Sequence, residues 1–266
     1  MRRTGVLPTF LLIGAQRSGT TSLFHDLCLH PHVVGSTVKE VHFFDHEYAR
    51  GLDWYRAFFL PGRRSAHARR KGAAVMAGEA TPYYLFHPGV PQRVAEAIPD
   101  VRLLVILRNP VDRAYSHYRK SVAQRVERLS FEGALAAEER RLAGVEGRLL
   151  EPGHRSFQHR HHSYVARGLY AEQLERWFAL FPRERFLVLR AEDFFSRPDD
   201  TYSRVLDFLG VPPFDPSQFR AGNPPGGAPM PAEVREALER RFAEPNERLA
   251  RLLGTGVWWP GSGAKP

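Results

Sequence analysis

Four runs of consecutive apolar residues punctuate the chain, at positions 10–13, 75–77, 101–107 and 186–189, with little apolar–polar alternation. Strands covered on both faces read this way. Helical spacing of apolar residues fills the intervals over 20–29, 90–97, 111–125 and 170–181, and two further helices are predicted over 199–209 and 231–242. Their boundaries are signalled: Asn109-Pro110 opens the third, Pro182 follows the fourth, Asp199 or Asp200 caps the fifth before Gly210 and Pro212, and Pro231 starts the sixth. Strands alternating with helices predict an α/β fold, a single domain with a central parallel β-sheet flanked by helices and a core over about 9–260. Two stretches interrupt the alternation, GRRSAHARRKG at 62–72 and an Arg-, Glu- and His-rich segment at 124–162. Both read as loops or lids with a solvated surface, or as a rim that attracts an anionic acceptor. GNPPGGAPMP at 222–231 reads as a mobile loop, too short to divide domains.

Composition narrows this only a little. At 266 residues, 43% hydrophobic and 25% charged, the chain suits one large α/β domain or two small ones, and one is expected. The net charge of +9 points to an anionic partner: a nucleotide, a sulfated or phosphorylated substrate, nucleic acid or a membrane surface. Charge alone does not choose among them. Only Lys39, Lys71, Lys120 and Lys265 are lysines, so the positive charge is nearly all arginine. The single cysteine, Cys28, excludes an internal disulfide and an all-cysteine metal site; its apolar, helical setting predicts a buried thiol in a reducing compartment. Met1-Arg2-Arg3 is followed by an apolar segment, but Pro8 interrupts it and no small-residue cleavage site follows. With no stretch long enough to cross a bilayer, a cytoplasmic location is expected.

Candidate chemistry gathers in three places. GAQRSGTTS, residues 14–22, follows a strand and opens a helix, so backbone N–H groups and the positive end of a helix dipole converge there. Ser18, Thr20, Thr21 and Ser22 add hydroxyl donors. A nucleotide phosphate loop carries lysine directly after its second glycine, where this chain has Thr20; the basic residue, Arg17, comes before Gly19. The plainer reading is that Gly14 and Gly19 merely permit a tight turn. VRLLVILRNPVDRAYSHYR, residues 101–119, repeats the plan, with Arg108 at the strand's carboxyl end and Ser116 on the helix. Ligands of open α/β sheets bind beyond those ends, so Arg108 and the glycine loop are expected at one crevice. Two cationic stations suit a ligand with phosphates at two separate positions. In TVKEVHFFDHEYARGLDWYRAFF, residues 37–59, Lys39, Glu40, His42 and Asp45 crowd together among aromatics. In β geometry Glu40 and His42 point the same way, which sets a potential general base beside a second polar group; an ordinary ion pair near aromatic core is the alternative. His154, His159, His161 and His162 fit no common zinc spacing and sit in a polar segment, so no metal is expected there. Trp54, Trp177, Trp258 and Trp259 read as packing residues.

With these motifs in order, joined by matching stretches at 164–213 and 242–254, the chain resembles sulfotransferases that use 3′-phosphoadenosine 5′-phosphosulfate, nearest to the heparan sulfate N- and O-sulfotransferases and their bacterial relatives. The resemblance covers about 10–259 and implies their P-loop-like fold. By that likeness Arg17, Ser18, Gly19, Thr20, Thr21 and Ser22 cradle the 5′-phosphosulfate, and Arg108 with Ser116 holds the 3′-phosphate. Glu40 corresponds to the catalytic base, Lys39 to a lysine close to the transferred group, and His42 and Asp45 to positions lining the acceptor site. In-line transfer to a hydroxyl or amine follows, with adenosine 3′,5′-bisphosphate as leaving group and no metal required. Three departures stand out: Arg17 replaces the usual lysine, Ala80 stands where several heparan-type enzymes have lysine, and residues 220–231 lack the basic Lys-Gly-Arg pattern. The cysteine pair of the secreted enzymes is missing too.

Two rival readings remain at this stage. A P-loop kinase or NTPase needs the post-glycine lysine and an acidic magnesium ligand; a basic nucleic-acid-binding module has no use for Glu40. The expected partner is therefore a small-molecule or carbohydrate acceptor, with no nucleic acid and no membrane span. Acceptor identity and oligomeric state are not set by these residues.

Overall fold

The computed structural model describes residues 5–60, 62, 75–151, 153–216 and 229–260. Apart from Gly62, the basic stretch at 62–72 lies outside them, and so does the loop at 222–231 up to residue 228. The chain forms two compact units: residues 1–107 with 180–222, and residues 108–179 with 223–266.

The first unit holds all five strands found among the described residues: β1 (Phe10–Gly14), β2 (Val33–Gly35), β3 (Met76–Ala80), β4 (Arg102–Leu107) and β5 (Phe186–Arg190). They pair in parallel in the order β2-β3-β1-β4-β5. In chain order the helices are α1 (Thr20–Leu29), α2 (Gly51–Arg56) and α3 (Val90–Ala97) in the first unit, then α4 (Pro110–Ala123), α5 (Phe131–Leu142), α6 (Val145–Leu149), α7 (Phe157–His161) and α8 (Tyr170–Phe178) in the second. The chain returns to the first for α9 (Ala191–Ser196) and α10 (Pro198–Leu209), and ends in the second with α11 (Ala232–Leu253). The predicted α/β architecture is thus present, and α1 and α3 have the boundaries read from the sequence.

Both faces of the sheet are buried, which explains the unbroken apolar runs. Phe10, Leu12, Leu104, Ile106 and Leu189 share one core with Leu23, Phe24 and Leu27 of α1 and Tyr202, Val205, Leu206 and Leu209 of α10. Leu11, Ile13, Leu103, Val105 and Leu107 alternate with them along β1 and β4 and are fully buried as well. The second unit has its own core of Val111, Ala114, Phe131, Ala134, Tyr164, Val165, Leu238 and Phe242.

The differences from expectation have physical reasons. β2 is only three residues long, below what an apolar run can signal. β3 continues past Ala77 through Gly78, Glu79 and Ala80 because this central strand buries a glutamate, which sequence periodicity counts as an end. α11 runs to Leu253 rather than stopping at 242: Pro245 lies inside it and removes one backbone donor, but Phe242, Asn246, Leu249 and Ala250 are buried on either side and carry the helix through.

Segment 124–162 is not a solvated loop. It contains α5, α6 and α7; most of its charged residues, such as Arg125, Glu132, Arg140 and Arg148, are exposed as expected, but Glu127 and Glu138 are buried in satisfied pairs. Glu127, 3% exposed, accepts from Arg141 at 2.6 Å and from the Tyr164 hydroxyl at 3.0 Å. Glu138 accepts from the N–H groups of Val165 and Ala166, each at 2.8 Å. Arg167 is buried with its guanidinium donating to the carbonyls of His159 and Arg160, at the end of α7. Buried charge is tolerated where hydrogen bonds replace water in this way. His159 and His162 are buried, so the reading of that histidine group as part of a polar loop is corrected for these two. Cys28 is corrected as well: it is exposed, with its sulfur turned toward Gly35. Trp177 and Trp259 are buried, as expected.

Candidate active site

β1 delivers the chain into the glycine loop. Gly14 is the last residue of the strand, and a Cβ there would fall 2.6 Å from Leu85 Cβ, so only glycine fits. Gly19 caps α1 at φ 96°, a left-handed conformation that glycine adopts without penalty. Among the described residues no side chain caps this helix, and no acidic residue sits in its first turn. The positive end of its dipole therefore has no acidic residue in the first turn to offset it. Ser18 is fully buried, and its hydroxyl has no hydrogen-bond partner among the described residues. An orphaned hydroxyl at a helix N-terminus suits an anion that completes its bonding. Thr20 is buried, whereas Arg17 and Thr21 are exposed, Arg17 at φ 71°.

Residues 40 and 42 do not lie in a strand, so the β geometry considered for Glu40 and His42 is corrected. Glu40 and His42 both adopt left-handed backbone, φ 61° and 55°, and a π-helical turn follows at Phe43–Glu47. Such conformations cost on the order of 1–3 kcal/mol each outside glycine and persist only where neighbours enforce them. The four predicted side chains nevertheless come together. Lys39 Nζ donates to Glu40 Oε1 at 2.6 Å; His42 Nε2 lies 3.5 Å from Glu40 Oε2; His42 Nδ1 meets Asp45 Oδ2 at 2.6 Å. Burial pushes the Glu40 carboxyl up, but hydrogen bonds from His42 and Lys39 and their charge outweigh it and hold it at about 2. Asp45 is fully buried, and its carboxyl is held low because His42 and His46 outweigh the penalty of burial. Glu40 is thus an ionised carboxylate between Lys39 and His42, in a row that ends at Asp45.

The same turn after β3 touches both elements. Leu85 N–H donates to Ile13 O, just before the glycine loop, at 2.9 Å, and the Tyr84 hydroxyl accepts from the N–H groups of Phe43 and Phe44 at 2.9 and 3.3 Å. His46, unremarked in the sequence, stacks on His42 at 5.1 Å between ring centroids. His42, Asp45 and His46 are the one grouping among the described residues with the make-up to hold a metal ion. The 2.6 Å separation of His42 Nδ1 and Asp45 Oδ2 is a hydrogen-bond length, shorter than the roughly 3.3 Å between two ligands of a tetrahedral ion at about 2 Å. Trp54 lies in the same aromatic cluster, stacked on Phe43 at 6.2 Å.

Sequence reasoning also passed over Glu79, Tyr55 and Tyr84, which underlie this segment. The available signal was a lone carboxylate in the apolar run of β3.

In the second unit, Arg108 and Ser116 lie on either side of the start of α4, which Asn109 caps by accepting from Val111 N–H at 2.9 Å. Arg108 is half-buried, and its carbonyl accepts from the Tyr170 hydroxyl at 2.8 Å. Ser116 follows about two turns into the helix and is half-buried too.

Known proteins resemble this chain in sequence and in structure. The Sulfotransferase domain family matches residues 7–220. A membrane-associated sulfotransferase of Dictyostelium discoideum is 27% identical over 95% of this chain and 66% of its own. Heparan sulfate glucosamine 3-O-sulfotransferase 6 of Homo sapiens is 36% identical over 77% of this chain and 52% of its own. The chain therefore spans between half and two thirds of these relatives. The crystal structure of a sulfotransferase from Alicyclobacillus acidocaldarius superposes with a TM-score of 0.70 at 32% identity, covering 95% of this chain and 98% of that one. Among the described residues no helix is long and apolar enough to cross a membrane. An uncapped glycine loop after the central strand, a parallel five-stranded sheet and a family match over most of the chain lead to one conclusion: the protein belongs to the sulfotransferase family.

Proposed function

We propose that the protein transfers a sulfuryl group from 3′-phosphoadenosine 5′-phosphosulfate to a hydroxyl or amine, by in-line displacement with Glu40 as general base. The observation that carries this reading is the combination at β1 and α1: a buried Ser18 hydroxyl with no hydrogen-bond partner among the described residues, at a helix N-terminus with neither side-chain cap among them nor acid, in a chain of this family. The loop from Arg17 to Ser22 holds the phosphosulfate through backbone N–H groups, hydroxyls and the helix dipole. Arg108 and Ser116 are assigned to the 3′-phosphate by resemblance. Arg17, Lys39 and the loop amides stabilise charge moving onto the departing phosphate while Glu40 takes the proton of the attacking group. Held at both phosphates, the donor is aligned before reaction, and that alignment supplies much of the rate. Thr20 in the usual lysine slot supports transfer without a magnesium-bound triphosphate. A carbohydrate acceptor is favoured by the 36% identity to a protein named for glucosamine 3-O-sulfation.

Glu40 is held at about 2, which makes it fully ionised but a weak acceptor while Lys39 is paired to it. When Lys39 turns to the donor's phosphosulfate, that pair opens and the carboxylate becomes more basic as the acceptor arrives. Incubation with the phosphosulfate donor and a panel of carbohydrate, phenolic and amine acceptors tests the reading. Glu40→Gln is expected to retain adenosine 3′,5′-bisphosphate binding and to lose transfer by roughly 10²–10⁴-fold. Unchanged turnover removes Glu40 from the role, and absence of bisphosphate binding by the unaltered protein removes the donor.

A further inference from the structure

Glu79 occupies an unusual place for a carboxylate, the interior of a central strand. It lies on β3 opposite Leu11 of β1 and is fully buried. Among the described residues its four hydrogen bonds come from neutral donors. Oε1 accepts from the hydroxyls of Tyr55 at 2.5 Å and Tyr84 at 2.9 Å; Oε2 accepts from the Thr81 hydroxyl at 2.6 Å and from Val41 N–H at 3.2 Å. Burial pushes its carboxyl up, and the hydroxyls of Thr81, Tyr55 and Tyr84 work against that. A buried carboxylate is costly, and a neutral residue would hold a strand more cheaply.

The geometry of its donors gives the carboxylate a purpose. Val41 stands between Glu40 and His42, the two residues in left-handed backbone, and its N–H is the one tied to Oε2. Oε1 orients the Tyr84 hydroxyl, whose oxygen takes the N–H groups of Phe43 and Phe44 at the start of the next turn. One side chain thereby fixes three backbone amides over four residues, on both sides of His42. A main-chain N–H cannot reverse its polarity, so an acceptor is required at Oε2. The Tyr84 oxygen already accepts twice, so its own proton needs an acceptor at Oε1. Only a carboxylate offers acceptors on both sides; glutamine offers one acceptor and one donor.

We propose that Glu79 is the positioning residue of the active site, holding the backbone of residues 40–44 in the strained course that sets Glu40 beside Lys39 and His42. The proposal rests on the assignment of Glu40 in the preceding section, and it acts through that residue: Glu79 itself touches neither donor nor acceptor.

The test compares the unaltered protein with Glu79→Gln and Tyr84→Phe. In Glu79→Gln the Val41 amide is expected to exchange with solvent at least about tenfold faster, while the amides pairing β1 with β4 keep their protection. Carbon-13 titration of the Glu40 carboxyl is expected to move upward from about 2 as it loses its fixed place beside Lys39 and His42. Tyr84→Phe, which leaves the carboxylate in place and supplies the answer if the first variant does not fold, is expected to release the Phe43 and Phe44 amides but not that of Val41. A Glu79→Gln protein with an unshifted Glu40 titration and a protected Val41 amide overturns the proposal, as does a Tyr84→Phe protein whose Phe43 and Phe44 amides stay protected. Calorimetry with adenosine 3′,5′-bisphosphate separates the two readings. If the unaltered protein takes up none, the donor assignment fails, while exchange and titration still decide the place of Glu79.

Discussion

Individual residues at the site are held by a few strong local constraints, and these make its behaviour predictable. Lys39 and His42 offset the burial that raises Glu40, so removing Lys39 leaves burial less opposed. In Lys39→Ala the Glu40 carboxyl is expected to titrate higher than about 2, toward the ordinary value near 4.3, as carbon-13 titration will record. Gly19 is a second point of control. At φ 96°, with the Phe195 ring 3.1 Å from where a Cβ would lie, alanine meets both backbone strain and a steric neighbour. Gly19→Ala is expected to cost about 1–2 kcal/mol of stability and to weaken adenosine 3′,5′-bisphosphate binding by about tenfold, read by thermal unfolding and calorimetry. Glu79 shows why part of the site was not legible in the chain: a single Glu among Met76, Ala77, Gly78 and Ala80 looks like the end of a strand, and its partners Val41, Tyr55 and Tyr84 are scattered on either side of it.

Elements were legible where burial is uniform along them. β1 and β4 are apolar because both faces are covered, and α1 begins at the loop that ends β1; periodicity found all three. Leu104, central to β4 and fully buried, belongs to the core shared with α1 and α10, so Leu104→Ala is expected to lower unfolding free energy by about 2–5 kcal/mol in denaturant titration. Periodicity failed where an element is held by polar contacts. Segment 124–162 presents a charged sequence, yet the Glu127 and Glu138 carboxylates are buried and bonded to groups on other helices or turns. Charge normally signals solvent because desolvation is expensive, and only the partner's position tells when that cost has been met. The Lys39 to Asp45 stretch shows a milder form of the same limit: composition identified the right residues, while their meeting depends on left-handed turns at Glu40 and His42 rather than on a strand.

At the scale of the molecule, the second unit carries a distinct acid sensitivity. Burial, with the charges of Arg160 and Arg167, lowers His161 to about 4, so the unfolded chain takes up its proton first and stability falls as pH drops from about 6.5 toward 4. Burial raises Glu127, but Arg141 and its other hydrogen bonds outweigh this and hold it at about 2; its contribution is complete above about 4.3 and is lost as pH falls through about 2. His117, fully buried and held well below its ordinary value, acts in the same direction as His161. The thermal midpoint reported by the fluorescence of Trp177, which is buried in α8, is therefore expected to fall steadily from pH 7 to pH 4. A midpoint that is flat or rising over that range contradicts the assignment.

The amino-acid sequence by itself determined the alternation of strand and helix, the parallel sheet, the glycine loop and the cluster of Lys39, Glu40, His42 and Asp45. Each is a local property, written in the spacing of apolar residues or in residues close along the chain. Tertiary structure alone decided that Ser18 is buried without a hydrogen-bond partner among the described residues, that Glu79 accepts from the Val41 amide, and that Glu127 and Glu138 are buried within an otherwise exposed charged segment. These depend on which distant groups meet, and the free energy of a buried polar atom is set by its partner's position, which spacing along a chain does not encode.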